Sequence, residues 1–172
     1  MSKKNTSTQN KSKDKSSMKP TNGKGSSIKI GKDDFDKDKL FYVLKTMLIA
    51  RNVDSKAMNL LRQGKTFFHI AGAGHEAVQL AIGLSLDPKK DWLFPYYRDL
   101  ATVLTAGVTP EEVFLGTFGK AADPASGGRQ LPVHWGSSRI NIPSQSSPTG
   151  TQFLQAVGTA LASVKRGERN IS

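Results

Sequence analysis

The segment FPYYRDL, residues 94–100, sets an arginine beside a tyrosine at the predicted start of a helix. The first backbone N–H groups of a helix lack intrahelical partners and lie at the positive end of its dipole, so they favour an anion. Arg98 adds a bidentate phosphate donor, and Tyr97 adds an aromatic ring with a hydroxyl. The pattern predicts a phosphate site. An ion pair of Arg98 with Asp99 or another surface acid is the open alternative.

A second group of residues with chemical potential surrounds Pro148, at the start of the last predicted helix. Its side chains carry neutral oxygens, on Ser144, Ser146, Ser147, Thr149, Thr151 and Gln152. Hydroxyl and carbonyl oxygens suit hard cations, so this density predicts a site for a monovalent cation. Capping of the helix is the alternative role for any single one of these residues.

The three histidines are the only side chains that titrate near neutral pH without perturbation. They do not have the spacing of a zinc site. His69 and His134 lie in irregular, glycine-flanked segments, as catalytic histidines often do. His75 falls in the first turn of a predicted helix, where a structural role is favoured.

A long segment without helical or strand periodicity runs over residues 121–150. Nearly half of it is Gly, Ser or Pro, yet it also carries Arg129, Gln130, His134, Trp135, Arg139 and Gln145. Long irregular segments within a compact domain are commonly functional or disordered. Aromatic, imidazole and guanidinium groups favour an ordered functional loop here, with a flexible connector as the alternative.

Helices are predicted before this loop, and they must position its partners. Apolar spacing predicts a first helix from Asp33 or Asp34 to about Gly64. Its apolar face comprises Leu40, Phe41, Leu44, Met47, Leu48, Leu60 and Leu61. A second helix is predicted from about His75 to Leu84. Its predicted buried residues are Ala77, Val78, Ala81 and Ile82.

Three more helices follow in the predicted order of elements. The third runs from Tyr97 or Arg98 to Ala106. The fourth begins with a capping box, in which Thr109 caps, Pro110 takes the first helical position and Glu112 completes the box, and it ends near Gly119. The last, over residues 151–166, is apolar and small on nearly all sides, which predicts a buried helix.

The basic character of the chain is concentrated in its first 32 residues. They contain nine lysines and one acid, Asp14, and so carry +8 of the net charge of +11. With hardly an apolar side chain before Ile28, this segment is predicted to be a disordered basic tail. Basic tails can bind nucleic acid. The absence of arginine and of interleaved aromatics instead favours a solvated leader.

Four runs occur in order along the chain: FPYYRDLATVL, GGRQLPVHWG, SSPTGTQ and QAVGTALA. Together they resemble the alpha subunit of the thiamine-diphosphate-dependent 2-oxo acid dehydrogenases, and within that family the branched-chain type. The resemblance covers about residues 35 to 172. It implies an α/β thiamine-diphosphate-binding fold, of which residues 33–172 form mainly the helical N-terminal part and its loops.

The resemblance also implies roles for single residues. Tyr97 and Arg98 match a pair that contacts the cofactor diphosphate, and Ser147 and Thr149 match residues that line the aminopyrimidine end. Two histidines are implied to be catalytic: His134 lies near cofactor and substrate, and His69 resembles a substrate-side histidine of the pyruvate-type enzymes. A potassium site is implied at Ser146, Pro148 (through its carbonyl), Thr151 and Gln152.

The implied reaction is oxidative decarboxylation of a branched-chain 2-oxo acid with acyl transfer to a lipoyl group. The implied partners are a beta subunit, separate or fused, and a lipoyl-bearing acyltransferase. A pyruvate dehydrogenase alpha subunit and a non-catalytic interaction module are the alternatives. No apolar stretch reaches the length of a membrane span. The bacterial cytoplasm is the expected location, with the mitochondrial matrix second.

The resemblance places the magnesium site on a Gly-Asp-Gly segment and a downstream Asn, which would follow Ser172. The sequence is therefore expected to be truncated before the magnesium ligands, to bind the cofactor poorly and to be inactive alone. Thiamine diphosphate with magnesium is expected to raise its melting temperature little or not at all.

Overall fold

The computed structural model describes residues 36–172. Five α-helices lie in this range: α1 Lys37–Arg62, α2 Glu76–Ser85, α3 Leu100–Ala106, α4 Pro110–Thr117 and α5 Thr151–Arg166. A 3-10 turn covers Ser138–Ile140. The predicted basic tail and the helix start predicted at Asp33 or Asp34 lie outside the described residues.

Local sequence signals explain where the helices begin and end. The predicted capping box of α4 is confirmed: Thr109 Oγ1 accepts the Glu112 N–H at 3.1 Å, and Glu112 Oε2 accepts the Thr109 N–H at 2.7 Å. The predicted span of α5 is also confirmed, and it ends at Gly167 with a φ of 71°. α3 begins later than predicted, because residues 96–99 form a hydrogen-bonded turn before it.

The core lies where α1, α2 and α3 meet and where the 121–150 loop covers them. Its buried apolar residues include Ala50, Val53, Leu80, Leu100, Val103, Val113, Val133, Trp135, Ile140 and Ile142. Four of these come from the loop. The loop also pairs with itself through Ser137 and Ile142, whose two backbone hydrogen bonds measure 2.7 and 2.9 Å. The prediction of an ordered loop is therefore confirmed.

The predicted buried face of α2 is wrong. Ala77, Val78, Ala81 and Ile82 are exposed. The helix instead turns Gln79, Leu80 and Gly83 inward. A Cβ on Gly83 would lie 2.6 Å from Thr105 Cβ. This close approach of α2 to α3 requires a residue without a side chain, so the apolar residues lie on the opposite face.

The predicted burial of α5 is also wrong for the described part of the chain. Phe153 and Leu154 are 74% and 81% exposed, and Val157, Leu161 and Val164 share the same side of the helix. Only Gln152 and Ser163 of α5 are buried. The first half of α1 also has an exposed apolar side, formed by Leu40, Phe41, Leu44 and Leu48. Of the face predicted for α1, only Leu60 is buried, and the buried side is formed instead by Thr46, Ala50, Val53, Asp54, Ala57 and Leu60. No described residue covers the exposed apolar sides of α1 and α5.

Residues 36–172 contain helices, loops and one isolated β-bridge, and no strand. The helical part of the predicted architecture is confirmed, and the sheet of an α/β fold is not among the described elements. None of the helices in this range combines the length and the apolar character that crossing a bilayer requires.

Candidate functional site

The turn before α3 is fixed from two sides. Tyr96 N–H donates to Asp99 Oδ2 at 2.8 Å, and the Tyr96 carbonyl accepts the indole N–H of Trp135 at 2.9 Å. Burial raises the pKa of the Asp99 carboxyl. The loop and the turn are thus joined through a buried tryptophan, which positions the two residues that follow Tyr96.

Arg98 lies within this turn and forms no ion pair with any described acid. Its Nη1 donates to the Ala71 carbonyl at 2.8 Å, and its own carbonyl accepts the Gln79 amide at 2.9 Å. Its guanidinium carbon lies 5.6 Å from the centroid of the Tyr97 ring, a cation–π distance. The alternative of an Arg98–Asp99 ion pair is not found among residues 36–172. A fixed and partly exposed guanidinium of this kind can accept an anion.

His134 joins the middle of the 121–150 loop to the Ser- and Thr-rich segment that precedes α5. Its Nε2 lies 2.6 Å from Ser147 Oγ, and its Nδ1 lies 3.1 Å from the Pro132 carbonyl. The ring centroid of His134 lies 6.2 Å from that of Tyr97 and 6.4 Å from that of Phe68. The imidazole is buried, so its orientation is fixed by two polar and two aromatic neighbours.

The hydroxyl of Tyr96 connects the turn to the Ser- and Thr-rich segment before α5. It hydrogen-bonds the Tyr97 hydroxyl and lies 3.2 Å from Thr149 Oγ1. The hydrogen bond from Thr149 lowers the pKa of Tyr96, and the hydrogen bond to Tyr96 raises the pKa of Tyr97. Tyr96 is therefore the more acidic of the two phenols, and its hydroxyl donates to the hydroxyl of Tyr97.

Neutral oxygens also converge at the start of α5. Ser146 Oγ lies 2.7 Å from Thr151 Oγ1, which lies 3.1 Å from the Pro148 carbonyl. Gln152 points its Oε1 at the Gly150 N–H, at 3.1 Å. Gly150 occupies the cap position of α5, and no side chain caps the helix there. Thr151 thus contacts two of the other predicted cation ligands, Ser146 and the Pro148 carbonyl, while Gln152 binds the amide of the cap residue.

His69 lies apart from these contacts. Its side chain is fully buried, and its Nε2 lies 3.0 Å from Asp54 Oδ1. The second oxygen of Asp54 accepts the Gly72 N–H at 2.9 Å. His75, for which a structural role is favoured, is instead exposed at the cap position of α2 and makes no capping hydrogen bond.

The structure thus brings Tyr97, Arg98, His134, Ser147 and Thr149 into one neighbourhood. Sequence reasoning missed several residues that assemble it: Asp54, Phe68, Glu76, Gln79 and Tyr96. One signal was available, because Asp54 is an acid flanked by the apolar positions Val53 and Ala57 on α1. Gln79 and Glu76 gave no such signal, since polar residues at the start of a helix are ordinarily solvated.

Comparison with known proteins identifies the family of this chain. The family model described as dehydrogenase E1 component matches residues 44–172. A 2-oxoisovalerate dehydrogenase subunit alpha of Bacillus subtilis (strain 168) is 46% identical over 118 residues, which cover 69% of this chain and 36% of that protein.

Two further relatives are more distant. A mitochondrial 2-oxoisovalerate dehydrogenase subunit alpha of Dictyostelium discoideum is 32% identical over 136 residues, 79% of this chain and 30% of its own. A pyruvate dehydrogenase E1 component subunit alpha of Staphylococcus aureus (strain Mu50 / ATCC 700699) is 32% identical over 139 residues, 81% of this chain and 35% of its own. The chain therefore spans about a third of the length of these relatives.

Proposed function

This chain belongs to the dehydrogenase E1 component family, and from that premise we propose that it forms one side of a thiamine diphosphate site in a branched-chain 2-oxo acid dehydrogenase. The observation that carries the proposal is the convergence of Tyr97, His134 and Ser147 beside an arginine without a described acidic partner. The complete domain is an α/β fold, to which residues 36–172 contribute helices and loops.

Arg98 and Tyr97 bind the diphosphate in this proposal. Arg98 offers a charge-assisted donor that is already oriented by the Ala71 carbonyl, so little conformational entropy is lost on binding. Ser147 and Thr149 supply hydroxyls for the aminopyrimidine end. His134 is the proton-handling group nearest to them, because its Nε2 contacts Ser147 Oγ.

A potassium ion orders the turn before α5. Thr151 Oγ1 already lies within contact distance of both Ser146 Oγ and the Pro148 carbonyl, and all three present oxygens of the type that hard cations prefer. Gln152 joins them as the fourth ligand, after exchanging its contact with the Gly150 N–H. The neighbouring Ser147 and Thr149 then become fixed as cofactor contacts. Magnesium accompanies the diphosphate.

Thiamine diphosphate, when bound, supplies the carbon nucleophile and the electron sink for decarboxylation. The residues of this chain would bind and orient it, Trp135 would hold the loop against the turn at Tyr96, and His134 would be available for proton transfer. The acyl product passes to the lipoyl group of an acyltransferase. A beta subunit, separate or fused, completes the site.

The preferred substrate is a branched-chain 2-oxo acid, since the B. subtilis relative is named for 2-oxoisovalerate. Pyruvate is the second candidate, since the S. aureus relative is named for it. Turnover of 3-methyl-2-oxobutanoate and of pyruvate in the assembled component separates the two. For its location we propose the bacterial cytoplasm, because the relative at 46% identity is bacterial; the D. discoideum relative, named mitochondrial, favours the matrix as the alternative.

The test compares thiamine diphosphate with thiamine by calorimetry, on the native assembly that carries this chain. Arg98→Ala should weaken thiamine diphosphate binding about 10- to 100-fold, the worth of one charge-assisted hydrogen bond, and leave thiamine binding unchanged. Arg139→Ala is the matched control, because Arg139 is an exposed arginine paired with Glu112. Equal losses for both ligands, or no loss in Arg98→Ala, would contradict the assignment.

A further inference from the structure

A buried carboxylate on α1 has both of its oxygens occupied. Asp54 is only 4% exposed, and its Oδ1 faces His69 while its Oδ2 accepts the Gly72 N–H. An ionised carboxylate only accepts hydrogen bonds, so the proton of the pair lies on His69 Nε2. The other ring nitrogen, Nδ1, is buried without a hydrogen-bond partner among the described residues.

The backbone amide of Gly74, two residues after Gly72, is also held by a carboxylate. Gly74 N–H donates to Glu76 Oε2 at 2.9 Å, and Glu76 Oε1 accepts Arg51 Nε at 2.6 Å. Two carboxylates, one on α1 and one on α2, therefore fix the amides of Gly72 and Gly74, near the end of the connection that joins these helices. Because each bond is charge-assisted and partly or fully buried, the connection has little freedom to move.

This connection in turn carries the contacts of Arg98. The Ala71 carbonyl accepts Arg98 Nη1 at 2.8 Å. Gly72 packs against the Arg98 carbonyl so closely that a Cβ there would overlap the oxygen. The peptide group between Ala71 and Gly72 therefore connects the two side chains, because its N–H donates to Asp54 and its carbonyl accepts from Arg98. The two side chains themselves form no hydrogen bond.

We propose that Asp54 and His69 are a buried positioning pair that fixes residues 71–74 and, through them, the guanidinium of Arg98. The last step rests on the proposed function of Arg98; the fixing of the backbone does not. His69 then acts through Asp54 and transfers no proton to substrate. This role competes with the substrate-side role that the family resemblance implies for His69.

Two substitutions of His69 separate these roles. In His69→Gln, the side-chain amide N–H can take the place of the Nε2–H and donate to Asp54, but glutamine cannot transfer a proton. In His69→Ala, the Asp54 carboxylate remains buried with one oxygen unpaired. Asp54→Ala removes the anchor itself. Ser55→Ala is the matched control, since Ser55 is the exposed neighbour of Asp54 on α1.

Three measurements on the native assembly test the pair: amide hydrogen exchange at Gly72 without cofactor, the Kd for thiamine diphosphate, and kcat. We expect His69→Ala and Asp54→Ala to accelerate Gly72 exchange and to raise the Kd by about tenfold or more. His69→Gln and Ser55→Ala should keep all three values within about threefold of the unsubstituted protein, a change below ~0.7 kcal/mol.

Two results would overturn the inference. One is unchanged Gly72 exchange in His69→Ala; the other is a His69→Gln protein that binds the cofactor normally but loses kcat, which would make His69 a proton-transfer group. If Asp54→Ala does not fold, the two His69 variants still distinguish a positioning role from proton transfer. Should the unsubstituted assembly bind no thiamine diphosphate, the proposed function fails, and Gly72 exchange alone then decides whether the pair fixes the backbone.

Discussion

The connection between α1 and α2 and the last helix, α5, have opposite relations between polarity and burial. Around the connection, Asp54, His69, Glu76 and Gln79 are buried and each finds a specific partner. Along α5, the largest apolar side chains are exposed. Hydropathy alone would predict the opposite, with the polar residues of the connection exposed and the apolar residues of α5 buried.

The difference shows that close backbone approach decides burial where a site is built. At the connection, the backbone of Gly72 lies so close to the Arg98 carbonyl that a Cβ would not fit, and the Gln79 amide donates to the same carbonyl. On α5, nothing within residues 36–172 approaches the apolar side. Two substitution pairs, with one member near the connection and one on α5, test this contrast, and a third pair on α1 tests the ion pair that fixes the connection.

The largest effect is expected from deletion of a core side chain. Leu80 is 1% exposed, so Leu80→Ala should lower the free energy of unfolding by ~2–5 kcal/mol, through lost transfer energy and a cavity. Leu154→Ala on α5 should change it by less than ~0.5 kcal/mol. Urea denaturation of the chain followed by circular dichroism measures both. A large loss in Leu154→Ala would mean that the α5 face is covered in solution.

A glycine pair sharpens the comparison at the level of backbone. Gly72→Ala should cost ~1–3 kcal/mol, because the new methyl group meets the Arg98 carbonyl and one backbone must move. Gly158→Ala, in the middle of α5, meets nothing within 4 Å and should stabilise the chain by ~0.5–1 kcal/mol. Thermal unfolding of the two variants gives the sign directly. A lower melting temperature for Gly72→Ala and a higher one for Gly158→Ala would support the difference between the two regions. Shifts of the same sign would contradict it.

The smallest effect concerns acid stability. The hydrogen bond from Arg51 is the largest cause that lowers the pKa of Glu76, from 4.5 to about 2. Because the folded pKa is the lower one, Glu76 contributes stability above about pH 4.5 and loses it as the pH falls toward 2. Arg51→Gln should therefore destabilise the chain at neutral pH, by an amount that solvent screening keeps modest because Arg51 is 54% exposed, and the loss should fade as the pH drops through about 2.

Lys45→Gln is the control for that titration, since it removes one exposed positive charge from the same helix. Its effect should be smaller and nearly independent of pH between 2 and 7. A difference between Arg51→Gln and the unsubstituted chain that persists unchanged to pH 2 would show that Glu76 is not the group responsible.

The sequence predicted elements better than faces. The Thr109 capping box and the limits of α5 followed from local chemistry, which depends on a few neighbouring residues. The buried side of α2 could not be predicted, because it depends on how closely Gly83 approaches Thr105 on another helix. Apolar periodicity finds a stripe; it does not reveal what covers the stripe.

The candidate site divides in the same way. Tyr97, Arg98 and His134 could be chosen from residue type and motif, and Ser147 from the hydroxyl cluster. The buried pair of Asp54 and His69 could not be assembled from sequence, because 15 residues separate its members and only the fold brings them to 3.0 Å. A buried acid on an apolar helix face was the one available sign of it.

Val133, immediately before His134, adopts a φ of 61°, in the left-handed region that β-branched residues strongly avoid, and its side chain is buried. Such a conformation costs about 1–3 kcal/mol and persists only because the surrounding packing enforces it. The loop that orients the His134 imidazole therefore contains a strained backbone conformation at Val133. Truncation of the Val133 isopropyl group should let this backbone relax and should weaken the contact between His134 Nε2 and Ser147 Oγ.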